Sequence, residues 1–318
     1  MDYDAFNGDA DGICALHQLR LAEPVHSTLV TGVKRDIALL KRITAQPGDR
    51  VTALDIAVEK NRTALDALLA AGVRVRWFDH HQPGELPAHP LFEAHIDTAA
   101  EVCTSLLVDR YLGGRHRPWA VVAAFGDNLP EAARRAAEPL QLSQAQLDAL
   151  RELGECLNYN AYGETVADLH FPPDELYRRL HAYADPFDFI REAPEFTALR
   201  AGYAADMAAA QAVRPVEARA GGAVVILPDA AWARRVSGVY ANALAQAHPQ
   251  RAHALLTRSP QGHYVVSVRA PLANRSGADT LCSRFPTGGG RQAAAGINAL
   301  PESRLDEFIA AFFATYPG

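Results

Sequence analysis

The chain has 318 residues, 49% of them hydrophobic and 21% charged. That composition excludes a disordered chain and gives enough length for two domains. The formal net charge of −6 argues against a broad basic face for duplex nucleic acid, but leaves room for a local pocket that takes a short, phosphate-bearing ligand.

Tyr3 to Phe6 has the character of a short strand. It runs into Asn7-Gly8-Asp9-Ala10-Asp11-Gly12, where the glycines permit a tight turn. Ile13 to Ala22 then has helical spacing. Asp9 and Asp11 therefore sit at a strand-to-helix turn, where two carboxylates spaced by two can face one cleft. N-capping explains one of them, but not both together with Asn7. A strand is expected over Ser27 to Thr31 and a short helix over Ile37 to Ile43. Arg50 to Leu54 forms the next strand and ends in Asp55, and a helix follows over Arg62 to Ala71. Arg74 to Phe78 is a buried strand that ends in Asp79-His80-His81, one carboxylate and two imidazoles before the turn Gln82-Pro83-Gly84. This βαβα alternation predicts a doubly wound parallel sheet. Ligands bind such sheets outside the carboxyl ends of the strands.

His95 to Asp97 suggests a further strand. Glu101 to Tyr111 reads as a helix capped by Thr98. Pro118 to Phe125, helix or strand, leads to Gly126-Asp127 at a small-residue turn. Ala132 to Ala137, Ser143 to Asn158, Pro172 to Tyr183 and Phe187 to Ile190 are helical, and Ala198 to Val213 suits a connecting helix. Beyond Arg214-Pro215 the pattern changes. Strands are expected over Ala223 to Leu227, Ala252 to Thr257 and Tyr264 to Arg269, with helices over Ser237 to Ala247, Ala278 to Phe285 and Leu305 to Tyr316. Gly288-Gly289-Gly290-Arg291 precedes an Ala-rich run of expected helical character. That order suggests a phosphate-cradling loop at a helix N-terminus, with the Arg291 guanidinium matched to phosphate. The resulting division is a catalytic domain over 1–195, a connecting helix over 196–214 and a smaller mixed α/β domain over 215–318.

Asp9, Asp11, Asp55, Asp79, His80, His81 and Asp127 are thus placed at the ends of neighbouring strands. Carboxylates packed so closely repel unless a cation lies among them. Oxygen-rich ligation with imidazole suits Mn²⁺ or Mg²⁺, with Co²⁺ or Zn²⁺ as further candidates. Two such ions sharing a carboxylate are suited to phosphoester hydrolysis, because they acidify water and neutralise phosphoryl charge. The acidic N-terminus shows no secretory pattern, and no apolar run reaches bilayer length. A cytoplasmic protein with no membrane partner is expected. Cys14, Cys103, Cys156 and Cys282 make no Cys-x-x-Cys pair, which fits reduced, buried thiols.

Asn7-Gly8-Asp9-Ala10-Asp11-Gly12, Leu54-Asp55, Asp79-His80-His81 and Gly126-Asp127 resemble, in order, the four motifs of the DHH phosphoesterase superfamily. Gly288-Gly289-Gly290 with Arg291 resembles the substrate-binding signature of the DHH-associated C-terminal domain. The resemblance implies an active site in the cleft between the two domains and a pair of Mn²⁺ ions. Asp9 would hold the first, Asp11, His80 and Asp127 the second, and Asp55 would bridge. Asn7 stands where a histidine is common and would be a weaker ligand. The resemblance also implies that His81 faces the substrate phosphate, with Asp79 orienting it, and that the glycines and Arg291 grip a distal phosphate. The implied activity is hydrolysis of phosphate esters in short nucleotides, of the oligonucleotide, pAp or cyclic-dinucleotide class. A pyrophosphatase or exopolyphosphatase and a degenerate nucleotide-binding regulator are the alternatives. A homodimer is expected only because dimers are common.

Overall fold

In the computed structural model, which describes residues 1–317, the chain separates into two compact units. One is Met1–Ala201 and the other begins at Gly202. In the first, β1 (Asp2–Phe6), β2 (Thr28–Val30), β3 (Arg50–Leu54), β4 (Arg74–Asp79) and β5 (Phe92–Ile96) form a sheet in the order β2-β1-β3-β4-β5. Every pairing in it is parallel.

The central strands are apolar throughout because both faces are covered. Phe6, Leu54 and Phe78 point into a core shared with Ile13, Leu16, Val122 and Leu157. Ala5, Ala53 and Trp77, one residue earlier in each strand, point into a second core with Leu65, Leu68 and Leu69. This is the period-two alternation of a pleated strand. The first core belongs to α1 (Ala10–Ala22), α4 (Arg117–Gly126) and α6 (Gln144–Asn160), with α3 (Thr104–Tyr111) beside α1. The second belongs to α2 (Val58–Ala70). The register aligns Phe6 with Leu54 and Leu54 with Phe78. The next residues along, Asn7, Asp55 and Asp79, therefore emerge at one edge of the sheet.

α5 (Pro130–Ala137), α7 (Pro173–Leu180) and α8 (Pro186–Glu192) complete the helical layer, and α9 (Pro194–Gln211) carries the chain onward. The start of α6 is sharply set: Ser143 and Gln146 form a reciprocal capping box. All four cysteines are buried and free.

Three local expectations are corrected. Ile37 to Ile43 holds only a single 3-10 turn, Leu40–Arg42. The helix expected from Glu101, capped by Thr98, starts at Thr104 with Cys103 as a capless N-terminus; its backbone donors are satisfied from elsewhere, as described below. Pro118 to Phe125 is helix, so Asp127 closes α4 and does not end a strand.

In the second unit, β6 (Glu217–Ala218), β7 (Gly222–Leu227), β8 (Ala252–Arg258), β9 (His263–Arg269), β10 (Gly288–Arg291) and β11 (Ala294–Pro301) form a mixed sheet in the order β10-β11-β9-β8-β7-β6. Only β7 and β8 run parallel, joined by the crossover helix α10 (Ala231–Ala247). Ala252, Ala254 and Leu256 of β8 share a core with Leu281 of α11 (Ala278–Cys282) and with Phe308 and Phe312 of α12 (Leu305–Thr315).

Here the glycine run departs from expectation. Gly288–Arg291 is an edge strand paired antiparallel with β11, and the Ala-rich run after it is β11 itself. Alanine's helical preference yields because Ala295 and Ile297 alternate into the core while the backbone pairs with β9. There is no helix N-terminus behind the glycines to hold an anion. Gly288 and Gly290 have packing reasons of their own: a Cβ on Gly288 would lie 2.0 Å from Cys282 O, and one on Gly290 would lie 2.5 Å from Ala295 Cα. A Cβ on Gly289 meets nothing within 4 Å, so the fold makes no demand for glycine there.

Candidate metal centre

The turn after β1 brings Asp9 to the N-cap of α1, where its Oδ1 accepts from Asp11 N and Gly12 N, both at 3.0 Å. Asn7 Oδ1 accepts from Asp9 N at 3.3 Å. The glycines of the turn are fixed by close approach: a Cβ would lie 2.0 Å from Gly32 O at Gly8 and 2.1 Å from Asn7 O at Gly12.

Asp11 supplies the cap missing from α3. Its Oδ2 accepts from Thr104 N and its Oδ1 from Ser105 N, each at 2.7 Å, while Ser105 Oγ donates back to Asp11 O at 2.9 Å. A carboxylate at a helix N-terminus also meets the positive end of the helix dipole. Asp11 therefore locks α1 to α3 as well as lining the site.

Asp55 follows β3 with φ of 59°, a left-handed conformation that costs a non-glycine residue on the order of 1 kcal/mol and that Asp tolerates better than most. Its Oδ1 accepts from Thr104 Oγ1 at 3.0 Å and lies 3.5 Å from His80 Nε2. Burial pushes the Asp55 carboxyl well above the usual range, and the charges of Asp11, Asp9, Asp127 and Asp79 push it further.

His80 fixes the chemistry of the cluster. Its Nδ1 lies 2.8 Å from Val102 O, a bond only a protonated Nδ1 can make, so in the neutral ring the Nε2 lone pair is free. That lone pair is directed toward Asp55 and toward Asp127 Oδ2 at 3.9 Å. A backbone carbonyl on the far nitrogen is the usual way a ligating imidazole is held. One donor atom each from Asp11, His80 and Asp127 lie within 4.8 Å of one another, and the same holds for Asp55, His80 and His81. Burial, then the Asp11 charge, raise the Asp127 carboxyl to about 6, against the opposing pull of Lys34.

Asp79 is fully buried. Its Oδ1 accepts from His81 Nδ1 at 2.7 Å, and that hydrogen bond raises the pKa of the exposed His81 despite the opposing effect of burial. Asp79 Oδ2 has no hydrogen-bond partner among the described residues.

A divalent cation fits this donor set. The cluster is oxygen-rich with one correctly tautomerised imidazole, it carries more negative charge than its own hydrogen bonds offset, and it leaves a buried carboxylate oxygen unpartnered.

The structure thus brings Asn7, Asp9, Asp11, Asp55, Asp79, His80, His81 and Asp127 to one edge of the first unit. Gly288, Gly289, Gly290 and Arg291 lie in the second unit, on β10. Sequence reasoning missed Lys34, whose Nζ donates to Asp9 Oδ2. No sequence signal marks it, since it stands in the loop after β2 with no motif around it. It also missed Thr104, which reads as an ordinary helix residue. Tyr159 is 1% exposed, and its hydroxyl bonds His170 Nε2 at 2.8 Å.

A parallel sheet with carboxylates and imidazoles at its carboxyl edge, and a separate smaller mixed α/β unit, is an architecture this chain shares with several solved structures of low sequence identity. RecJ from Thermus thermophilus in complex with Mn²⁺ is similar at a TM-score of 0.62 and 21% identity, over 98% of this chain and 51% of that one. A pGpG-specific phosphodiesterase, PggH from Vibrio cholerae, is similar at a TM-score of 0.58 and 15% identity, over 98% of this chain and 97% of that one. An exonuclease RecJ bound to manganese is similar at a TM-score of 0.55 and 21% identity, over 98% and 89%. The chain spans about half the length of the Thermus RecJ. No family model and no curated protein sequence matches it.

Proposed function

We propose that the chain is a metal-dependent phosphoesterase that hydrolyses phosphate esters of short nucleotides. The observation that carries this reading is the His80 imidazole, held at Nδ1 by Val102 O with its Nε2 turned into the carboxylates of Asp55 and Asp127. Asp11, Asp55, His80 and Asp127 would hold the ion, with Asn7 and Asp9 bordering it. Mn²⁺ is the first candidate, and Mg²⁺ and Co²⁺ are the others. When bound, such an ion supplies Lewis acidity toward phosphoryl oxygen and acidifies water.

The chain's own residues do the rest. Asp79 orients His81 through Nδ1 and favours its protonated form, which leaves Nε2–H to donate to a substrate phosphate. Gly288, Gly289, Gly290 and Arg291 would take a distal phosphate or terminal nucleotide. The open space over Gly289 supports that assignment, because a ligand can approach the backbone there. A short substrate is favoured over a long single strand on two grounds. The net charge is −6, and the likeness to PggH covers 97% of that protein, against 51% of the Thermus RecJ and 89% of the other RecJ.

The test is hydrolysis of pAp, a linear dinucleotide, a cyclic dinucleotide, pyrophosphate and single-stranded DNA, each with Mn²⁺, with Mg²⁺ and with chelator. Chelator-sensitive cleavage of a short nucleotide is the expected result. Turnover of pyrophosphate alone would place the chain among pyrophosphatases. No turnover with metal bound would point to a nucleotide-binding regulator.

A further inference from the structure

Lys34 has a setting unlike that of a surface lysine. Its Nζ donates to Asp9 Oδ2 and, at 3.2 Å, to Asn158 Oδ1; it lies 3.6 Å from Asp127 Oδ1 and 5.7 Å from the centre of the Tyr162 ring. These groups come from the start of α1, the last turn of α6, the end of α4 and the loop after α6. The backbone is pinned as well. Lys34 N donates to Ala161 O at 2.9 Å, and Lys34 O accepts from Asn7 Nδ2 at 3.4 Å.

Three hard oxygens converging from separate elements are the donor set of a divalent cation. Here a fixed ammonium stands among them. The rest of the cluster divides accordingly. Both groups of donors that converge closely enough to share an ion contain His80, and neither contains Asp9. Asp9 already spends Oδ1 on two backbone N–H groups and Oδ2 on Lys34.

We propose that the Lys34 ammonium is a built-in replacement for one of the two cations expected from sequence, so that this chain carries a mononuclear centre on Asp11, Asp55, His80 and Asp127. The inference rests on the metal-dependent reading above. Lys34 would neutralise the Asp9–Asp127 side of the site permanently, with a charge that chelators do not remove.

The experiment counts metal on the full-length protein. Metal-stripped wild type, Lys34→Ala, Lys34→Arg and His80→Ala are equilibrated with excess Mn²⁺ and desalted. Bound manganese is then measured by mass spectrometry, and its electron paramagnetic resonance spectrum is recorded. The expected result is one Mn²⁺ per chain in wild type with the six-line spectrum of an isolated ion. Lys34→Ala should gain a second, exchange-coupled ion, Lys34→Arg should keep one, and His80→Ala should lose it. Two coupled ions in wild type would overturn the Lys34 assignment and leave the phosphoesterase reading intact. So would a single ion in both wild type and a folded Lys34→Ala. No bound manganese in wild type would overturn both. If Lys34→Ala does not fold, the wild-type stoichiometry and spectrum decide alone.

Discussion

Asp127→Asn should make the metal-free protein more stable while weakening its hold on metal. The Asp127 carboxyl is raised from 3.8 to about 6, by burial first and then by the Asp11 charge. A shift of that size corresponds to about 3 kcal/mol between its protonation states. Asp127 is an acid whose folded pKa lies above its unfolded one, so the folded state keeps its proton between those values. The resulting destabilisation is absent below pH about 4, grows as pH rises through the window, and is complete above about 6. At pH 7 the carboxylate burdens the fold in full. The side chain is 21% exposed, which screens part of the effect, and an amide of the same shape removes the charge. A gain of about 1–3 kcal/mol is expected, a large share of the ~5–15 kcal/mol that holds a typical domain together. Urea unfolding in chelator at pH 7 reads it, and the advantage should shrink toward zero at pH 4. Added Mn²⁺ should reverse the order, since binding at a hundred times Kd stabilises wild type by about 2.7 kcal/mol and the variant lacks a ligand. A variant no more stable than wild type in chelator at pH 7 would refute this account of the cluster's charge.

Asp11→Ala should act in the opposite direction. It strips two charge-assisted bonds of 2.7 Å from the start of α3, and a loss of about 2–4 kcal/mol is expected in the same assay even without metal. Substitutions along β10 should separate packing from ligand approach. Gly290→Ala collides with Ala295 and should lower the unfolding temperature, whereas Gly289→Ala should leave it unchanged and raise KM for the cleaved nucleotide. Below pH 6.5 a further stability loss is expected from His17, which lies 3.0 Å from both His181 Nδ1 and Tyr183 O. Burial, then His181, hold its pKa well below 6.5, so the unfolded state takes up the proton first and stability falls by up to about 1.4 kcal/mol per pH unit under 6.5. His17→Gln should flatten that dependence between pH 6.5 and 5.5.

The parallel sheet was legible because its strands are short apolar runs that end in polar punctuation, as Leu54-Asp55 and Phe78-Asp79 do. The glycine run misled for a physical reason. Glycine triplets and alanine runs are read by local preference, which points to a loop and a helix, whereas β10 and β11 exist through pairing with β9 and burial of Ala295 and Ile297. That pairing is nonlocal and leaves little trace in a window of ten residues. The short strand β6 escaped for the same reason, since Glu217–Ala218 pairs only with β7.

The site shows a different limit. Sequence motifs picked out acidic residues that the fold brings together, but could not distinguish the work each one does. Asp9 and Asp11 both meet backbone N–H groups at helix starts, so the fold itself compensates their charge. Asp79 is matched to His81 through one oxygen. Asp55 accepts from the Thr104 hydroxyl and meets no backbone N–H at a helix start, and Asp127 faces Lys34 at 3.6 Å. Those two are the carboxyls raised in pKa, and both lie beside His80 Nε2. Compensation by the fold therefore leaves Asp55 and Asp127 as the least matched carboxylates, while Asp11 both caps α3 and lines the site. The distinction depends on Thr104 and Lys34, 93 residues after Asp11 and 25 after Asp9, and no spacing rule around an Asp-x-Asp turn contains either.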